Sequence, residues 1–213
     1  MPTTTTARSR SLILSALAAT VLLSPFLLES SILMRWDLQA FLAINAVYRH
    51  SVLDPLLWCI TQLGSVEFVV ILDVFLFVLG KRKWATYLLL LLIAYSVVGY
   101  GMKFVIDRPR PYVTYPEIQH MVAVFEGSFP SGHALGASGL AALLYARRNR
   151  LFPVALLLAA MVLFTRVFLG LHYPSDVLVG AMIGMLIGLL VGGLDLEVQD
   201  TAPIWRRSDP SIK

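Results

Sequence analysis

Four stretches of this chain carry no Asp, Glu, Lys or Arg at all: Ser11 to Leu28, Trp84 to Met102, Gly127 to Ala146 and Val177 to Leu194. Each is close to the roughly 17 to 25 apolar residues that a helix needs to cross a bilayer. In lipid the backbone polar groups must be satisfied inside the chain, so uncharged runs this long have to be helices. A fifth run, Leu151 to Leu171, carries Arg166 only near its far end. The sixth is less regular. Pro55 to Gly80 holds Glu67 and Asp73, and Gly64-Ser65 marks a break, so its crossing part is expected at about Val66 to Gly80. The expected fold is all-α, a polytopic membrane protein with six transmembrane helices.

Composition closes the alternatives. Hydrophobic residues make up 58% of the chain and charged residues 14%, against roughly 45 to 50% apolar in a soluble domain. So few charges cannot coat a soluble globule, and so apolar a chain does not stay disordered. The net charge of +4 does not point to nucleic acid, because in a membrane protein the placement of positive charge carries the information. Cys59 is the single cysteine and no Cys/His pair has zinc-like spacing, so neither a disulfide nor a structural metal is expected.

Arg8 and Arg10 precede the first run, whose length exceeds the ~7 to 15 residues of a signal h-region, and no small-x-small site follows Leu28. A retained helix is expected. After it, Arg35 to Arg49 interleaves Trp36, Phe41, Leu42, Ile44, Val47 and Tyr48 with Asp37, Gln39 and Asn45. That pattern reads as an interfacial amphipathic helix, with an ordinary connecting helix as the alternative. Asp54-Pro55 then resembles an N-cap followed by a first-turn proline.

Six spans put residues 1–10 and 195–213, two solvated tails, on one side of an 11–194 membrane domain. The loops at Lys81-Arg82-Lys83 and at Arg147, Arg148 and Arg150 share that side. With Arg8, Arg10, Arg206, Arg207 and Lys213 it collects eleven of the seventeen Lys and Arg, so it is expected to be cytoplasmic. The outer side, periplasmic or external, keeps Arg35, Arg49, Lys103, Arg108, Arg110 and Arg166. Four of these stand beside membrane helices against the insertion preference, which points to a binding role. Gly180, Gly184, Gly188 and Gly192 recur every four residues in the last span. Such a stripe admits a close helix, either inside the bundle or from a second copy in a homodimer.

Three outer segments hold the chemistry. The first runs Lys103-Phe104-Val105-Ile106-Asp107-Arg108-Pro109-Arg110-Pro111. The second is Ser128-Phe129-Pro130-Ser131-Gly132-His133. The third runs from Thr165-Arg166 to His172-Tyr173-Pro174-Ser175-Asp176. Alternation of spans lets them converge at one mouth of the bundle. Ser131-Gly132 opens a helix, whose free amides and positive dipole end favour a phosphate. Arg110 and Arg166 can fork onto phosphate oxygens and Lys103 adds a point charge. Pro174 starts a helix, so Asp176 sits one turn in and can reach back to the ring of His172. His172 is then the expected nucleophile, and His133 the expected acid for the leaving oxygen and later the base for water. Asp107, Glu117, His120 and Glu126 match no ligand spacing and read as solvated loop charges; no metal and no cofactor is expected.

Lys103 with six residues to Arg110-Pro111, then Pro130-Ser131-Gly132-His133, then Arg166 with five residues to His172 and three more to Asp176, resembles the type 2 phosphatidic acid phosphatase superfamily of membrane lipid phosphatases. Thr165 stands where that family commonly has Ser. The resemblance covers Trp84 to Leu194 in detail. It implies a metal-independent phosphatase working through a phosphohistidine on His172, oriented by Asp176, with His133 as general acid. It also implies phosphate contacts from Lys103, Arg110, Ser131, Gly132 and Arg166; Arg108 lies outside the motif. Among bacterial relatives of this size, undecaprenyl diphosphate phosphatases are the most frequent, ahead of enzymes for phosphatidylglycerophosphate, phosphatidic acid or lipid A. A non-enzymatic lipid transporter would show polar groups near the midplane and inverted repeats, and neither is visible.

Overall fold

A computed structural model describes residues 4–28, 30–45, 53–118, 120 and 122–206, and among them every regular element is helical. The helices are α1 (Thr4–Leu28), α2 (Ser31–Asn45), α3 (Leu53–Thr61), α4 (Val66–Val78), α5 (Arg82–Ile106), α6 (Pro111–Thr114), α7 (Gly132–Ala146), α8 (Phe152–Phe168) and α9 (Pro174–Gly192). A 3-10 turn, Gln62–Gly64, joins α3 to α4 at the break expected there, and the two helices are bent by 57°. Ser65 restarts the chain as an N-cap, its side chain accepting the Phe68 N–H at 3.1 Å.

Among the described residues, three helical segments are long and apolar enough to cross a membrane: Arg8–Leu28, Arg82–Thr114 and Pro174–Gly192. The bent pair α3–α4 makes a fourth if counted as one span. The chain is a multi-pass membrane protein. Helices α8 and α7 are shorter, with 17 and 15 residues, so at 1.5 Å per residue they reach about 22 to 26 Å. Their positions differ from that of α1. Nine of the fifteen residues of α7 are buried, whereas only 6% of the apolar window of α1 is. Helix α7 is thus the centre of the bundle and α1 an outer helix with apolar side chains such as Leu22 and Phe26 exposed.

Small residues explain how α7 can be central. The glycine stripe of α9 lies directly on it: a Cβ at Gly180 would stand 2.7 Å from the Ser131 carbonyl, at Gly184 2.3 Å from that of Leu135, and at Gly188 2.2 Å from that of Gly139. The stripe is used inside the bundle, against α7. Around this contact Tyr87, Leu88, Leu91 and Tyr95 of α5 pack with Leu135 and Leu143 of α7 and Ile183, Ile187 and Val191 of α9.

The basic loops gather at one end of the bundle. Arg147 donates to the Gly192 carbonyl at 3.5 Å, Arg10 donates to that of Gly193, and Tyr87 to that of Leu194 at 2.8 Å. The described residues after α9 are largely exposed but are tied to this end by hydrogen bonds. Thr201 N–H donates to the Gly80 carbonyl at 2.9 Å, and the Asp200 carboxylate accepts from Lys81 at 3.5 Å and from the Lys83 amide at 3.3 Å.

Three local expectations change and one holds. Helix α1 begins at Thr4, inside the expected tail. Asp54 lies within the first turn of α3 and is not its N-cap. Helix α7 begins at Gly132 with Ser131 as its N-cap, the start expected for it, and Gly127–Ser131 before it is irregular. In the helix read as interfacial, Asp37 is fully buried and does not face water. Residues 46–49 of that helix and 207–213 of the tail lie outside the described residues.

Candidate active site

The start of α9 builds the acidic half of the site. Pro174 occupies the first turn, where its missing N–H costs nothing. Asp176, fully buried, turns back to accept the Tyr173 N–H at 2.9 Å. This local cap holds its Oδ2 3.6 Å from Nδ1 of His172, one turn earlier in the chain. Ser128, from the irregular segment before α7, donates its hydroxyl to the same oxygen and lies 3.4 Å from Nδ1. On the other side of the ring, Nη1 of Arg110 is 3.3 Å from Nε2. A guanidinium can only donate, so Nε2 presents its lone pair and the proton sits on Nδ1, facing Asp176 and Ser128. His172 is 2% exposed. Burial pushes its pKa well below the usual histidine value, and the nearby charges of Arg110, Arg166 and Lys103 push it the same way. Both effects favour the neutral ring, with its Nε2 turned toward Arg110 on the side of the cavity.

The basic half comes from three other elements. Arg110 caps α6 just before Pro111, is 4% exposed, and is anchored by the carbonyls of Glu126 and Leu171, both at 2.9 Å. Arg166, in the last turn of α8, is 3% exposed and donates Nη1 to Thr61 at 3.1 Å. Its Nε is buried without a partner, as is the hydroxyl of Ser131. Lys103, in the last turn of α5, donates to the Gly127 carbonyl at 2.5 Å. Two buried, unpaired polar atoms beside three cations are what a bound oxyanion would satisfy.

Lys103, Arg110, Gly132, His133, Arg166 and His172 all line one cavity of about 330 Å³. Six of the eight expected site residues line the cavity; Asp176 and Ser131 stand beside His172 and Gly132 without lining it. One amide differs from expectation. The Ser131 N–H is spent on the Asp176 carbonyl at 3.0 Å, so the amides left for an anion are those of Gly132 and His133, which have no partner four residues back in the helix. A larger cavity, about 450 Å³, lies between α1, α2 and the residues after α5, and holds neither histidine. The candidate site is the smaller one, which both His133 and His172 line.

Sequence reasoning missed three residues. Ser128 gave no signal beyond its closeness to the Pro-Ser-Gly-His run. Arg108, left outside the motif, donates to Asp176 Oδ1 at 2.5 Å and to Asp37 Oδ2 at 2.6 Å. Its place beside a second Arg-Pro pair was the available clue. Asp37, 71 residues before Arg108 and on α2, gave none.

The chain is similar to known proteins in both sequence and fold. The family model of the PAP2 superfamily matches residues 84–194. The undecaprenyl-diphosphatase BcrC of Bacillus subtilis is 30% identical over 143 residues, covering 66% of this chain and 74% of that protein. A crystal structure of a transmembrane PAP2-type phosphatidylglycerolphosphate phosphatase from Bacillus subtilis superposes with a TM-score of 0.71 at 25% identity, over 84% of this chain and 94% of that one. Aquifex aeolicus LpxE superposes with a TM-score of 0.66 at 30% identity, over 72% and 93%. Matched across its catalytic half by sequence and over most of its length by fold, the chain belongs to the PAP2 superfamily and is a membrane lipid phosphatase.

Proposed function

We propose that this protein removes phosphate from a lipid diphosphate, undecaprenyl diphosphate, yielding undecaprenyl phosphate through a phosphohistidine on His172. The observation that carries the mechanism is the ring of His172, neutral and buried, with Asp176 behind Nδ1 and its Nε2 lone pair beside Arg110. Lys103, Arg110 and Arg166 hold the terminal phosphoryl group, with Ser131 and the Gly132 amide completing its contacts. Nε2 attacks phosphorus, the bond from phosphorus to the leaving oxygen breaks, and His133 gives that oxygen a proton. The N–P intermediate leaves the ring cationic, which the Asp176 carboxylate stabilises through Nδ1–H. His133, now neutral, takes a proton from water as the water attacks phosphorus, releasing phosphate and restoring both histidines.

The choice of lipid rests on the relative named undecaprenyl-diphosphatase. Phosphatidylglycerophosphate is the second reading, favoured by the phosphatidylglycerolphosphate phosphatase fold, which this chain covers to 94%. We also read all six apolar segments, residues 11–194, as crossing the inner (plasma) membrane, the shorter α7 and α8 included. The charge distribution puts the termini in the cytoplasm and the site on the outer face.

The deciding experiment measures phosphate release by detergent-purified protein in excess EDTA, with undecaprenyl diphosphate, phosphatidylglycerophosphate and phosphatidic acid at equal surface concentration. Fastest turnover is expected on undecaprenyl diphosphate, with His172→Ala and His133→Ala nearly inactive. Full activity of His172→Ala would remove the nucleophile. Faster turnover of phosphatidylglycerophosphate would select the second reading. For sidedness, a Cys introduced at Glu117 in a Cys59→Ala background should react with a membrane-impermeant thiol probe from outside intact cells; labelling from the inside alone would invert the topology.

A further inference from the structure

Behind the candidate nucleophile lies a buried chain of charges that the phosphatase reading leaves without a role. Asp37, on α2, is 0% exposed. Its Oδ1 accepts the Ser175 N–H at 2.8 Å, and its Oδ2 accepts the Ser175 hydroxyl at 2.5 Å and Nη2 of Arg108 at 2.6 Å. Arg108 then reaches with Nη1 to Ser175 Oγ at 2.8 Å and to Asp176 Oδ1 at 2.5 Å. Its guanidinium carbon lies 4.1 Å from the centre of the Tyr173 ring, which braces the fork from one face. One guanidinium therefore bridges two buried carboxylates, and the second is the one that faces His172.

We propose that Asp37 and Arg108 are positioning residues that set the charge Asp176 presents to His172. Two carboxylates and one guanidinium carry a net charge of −1, and that unit of negative charge is balanced when the ring becomes cationic as a phosphohistidine. Arg108 paired with Asp176 alone would neutralise that carboxylate and leave nothing for the imidazolium. Asp37 prevents this by drawing half of the guanidinium's hydrogen bonding and charge to itself. Fork geometry matters as well: the planar guanidinium reaches both carboxylates at once, which an ammonium on a flexible stem cannot do. Helix α2 thus does more than connect spans, since it delivers the carboxylate that tunes the catalytic one.

This inference rests on the phosphohistidine reading, and the test separates the two. Neither residue touches the cavity that holds the substrate phosphate, so KM should stay near the wild-type value while kcat changes. Asp37→Asn leaves Arg108 and Asp176 as a neutral pair, and kcat is expected to fall ~10- to 100-fold, the usual effect of removing an outer partner of a catalytic group. Arg108→Gln leaves two facing carboxylates and should be at least as impaired. The double variant Asp37→Asn/Arg108→Gln returns the net charge to −1 and should recover to within about tenfold of wild type, above either single variant. A purely structural role predicts the reverse, with the double variant the worst of the three.

Turnover is read on undecaprenyl diphosphate or, if faster, phosphatidylglycerophosphate, alongside size-exclusion profiles of each purified protein. Where Asp37→Asn is not monodisperse, Arg108→Lys reads the same bridge from its centre and should lower kcat at unchanged KM. A double variant no better than the poorer single, or Asp37→Asn with wild-type kcat, overturns the proposal. An active His172→Ala protein would instead overturn the phosphohistidine reading, whatever the double variant does.

Discussion

Replacing Gly184 by alanine adds one methyl group, and the structure says where it would go. The new Cβ would stand 2.3 Å from the Leu135 carbonyl oxygen and 2.9 Å from the Leu135 Cα. Unstrained contacts between heavy atoms need about 3.5 Å, so α7 and α9 have to part by about 1 Å. Both neighbours are backbone atoms of the central helix, so no side-chain rotation relieves the clash. Overpacking of this kind costs about 1 to 3 kcal/mol, equivalent to roughly 2 to 12 °C in Tm for a chain of this length. Function should suffer more than stability. Helix α7 begins with Gly132 and His133, and α9 carries Asp176 two residues into its first turn. A displacement of about 1 Å between catalytic groups is worth about 100-fold in kcat. Gly101→Ala, on the exposed side of α5 with nothing within 4 Å of the added atom, is the control and should be neutral or gain about 0.5 to 1 kcal/mol. The assay is phosphate release with a parallel thermal unfolding curve, plus oligomeric state by size exclusion. Wild-type kcat and Tm for Gly184→Ala would refute the close approach of α7 and α9; a change of oligomeric state with an intact monomer Tm would refute its internal use.

The pH dependence follows from His172. Its proton is held more weakly in the folded protein than at the ordinary value of 6.5, because burial and three neighbouring cations disfavour the charged ring. The neutral nucleophile therefore persists as pH falls through 6.5, and the acidic limb of kcat/KM should lie below that value; a limb at or above 6.5 contradicts the buried, cation-flanked ring. The same depressed pKa means that the unfolded chain binds more protons below about pH 6.5, so this histidine contributes stability that fades as pH drops further. Arg110→Lys keeps the charge but cannot hold the carbonyls of Glu126 and Leu171 while reaching His172 Nε2. Each charged hydrogen bond lost is worth about 1.5 to 3 kcal/mol, so kcat/KM should fall by about 10- to 150-fold, and wild-type kinetics would refute the fork.

Much of the site was readable along the chain because its parts are local. Pro174 and Asp176 form a helix start, His172 lies one turn before that carboxylate, and each cation stands at the end of an apolar run, where a charge is costly unless used. Spacing within three short segments therefore carried the site residues. Residues that act across the fold were not readable. Asp37 looks like one polar position among many on an amphipathic helix, and its burial against Ser175 and Arg108 depends on how α2 docks beside the start of α9. Arg108 looked like an interfacial cation until Asp176 appeared at the end of its fork.

The apolar runs by themselves required a helical membrane protein, because lipid offers no partner for an unpaired backbone group, and the motif spacing pointed to a candidate anion site at one end of it. Which helix would be central, which face of the glycine stripe would be used, and how far each carboxylate would sit from a histidine were decided by packing. Those features arise from contacts between residues far apart in sequence, such as Gly184 on Leu135 and Asp37 on Arg108. Their energies exist only once the helices have come together.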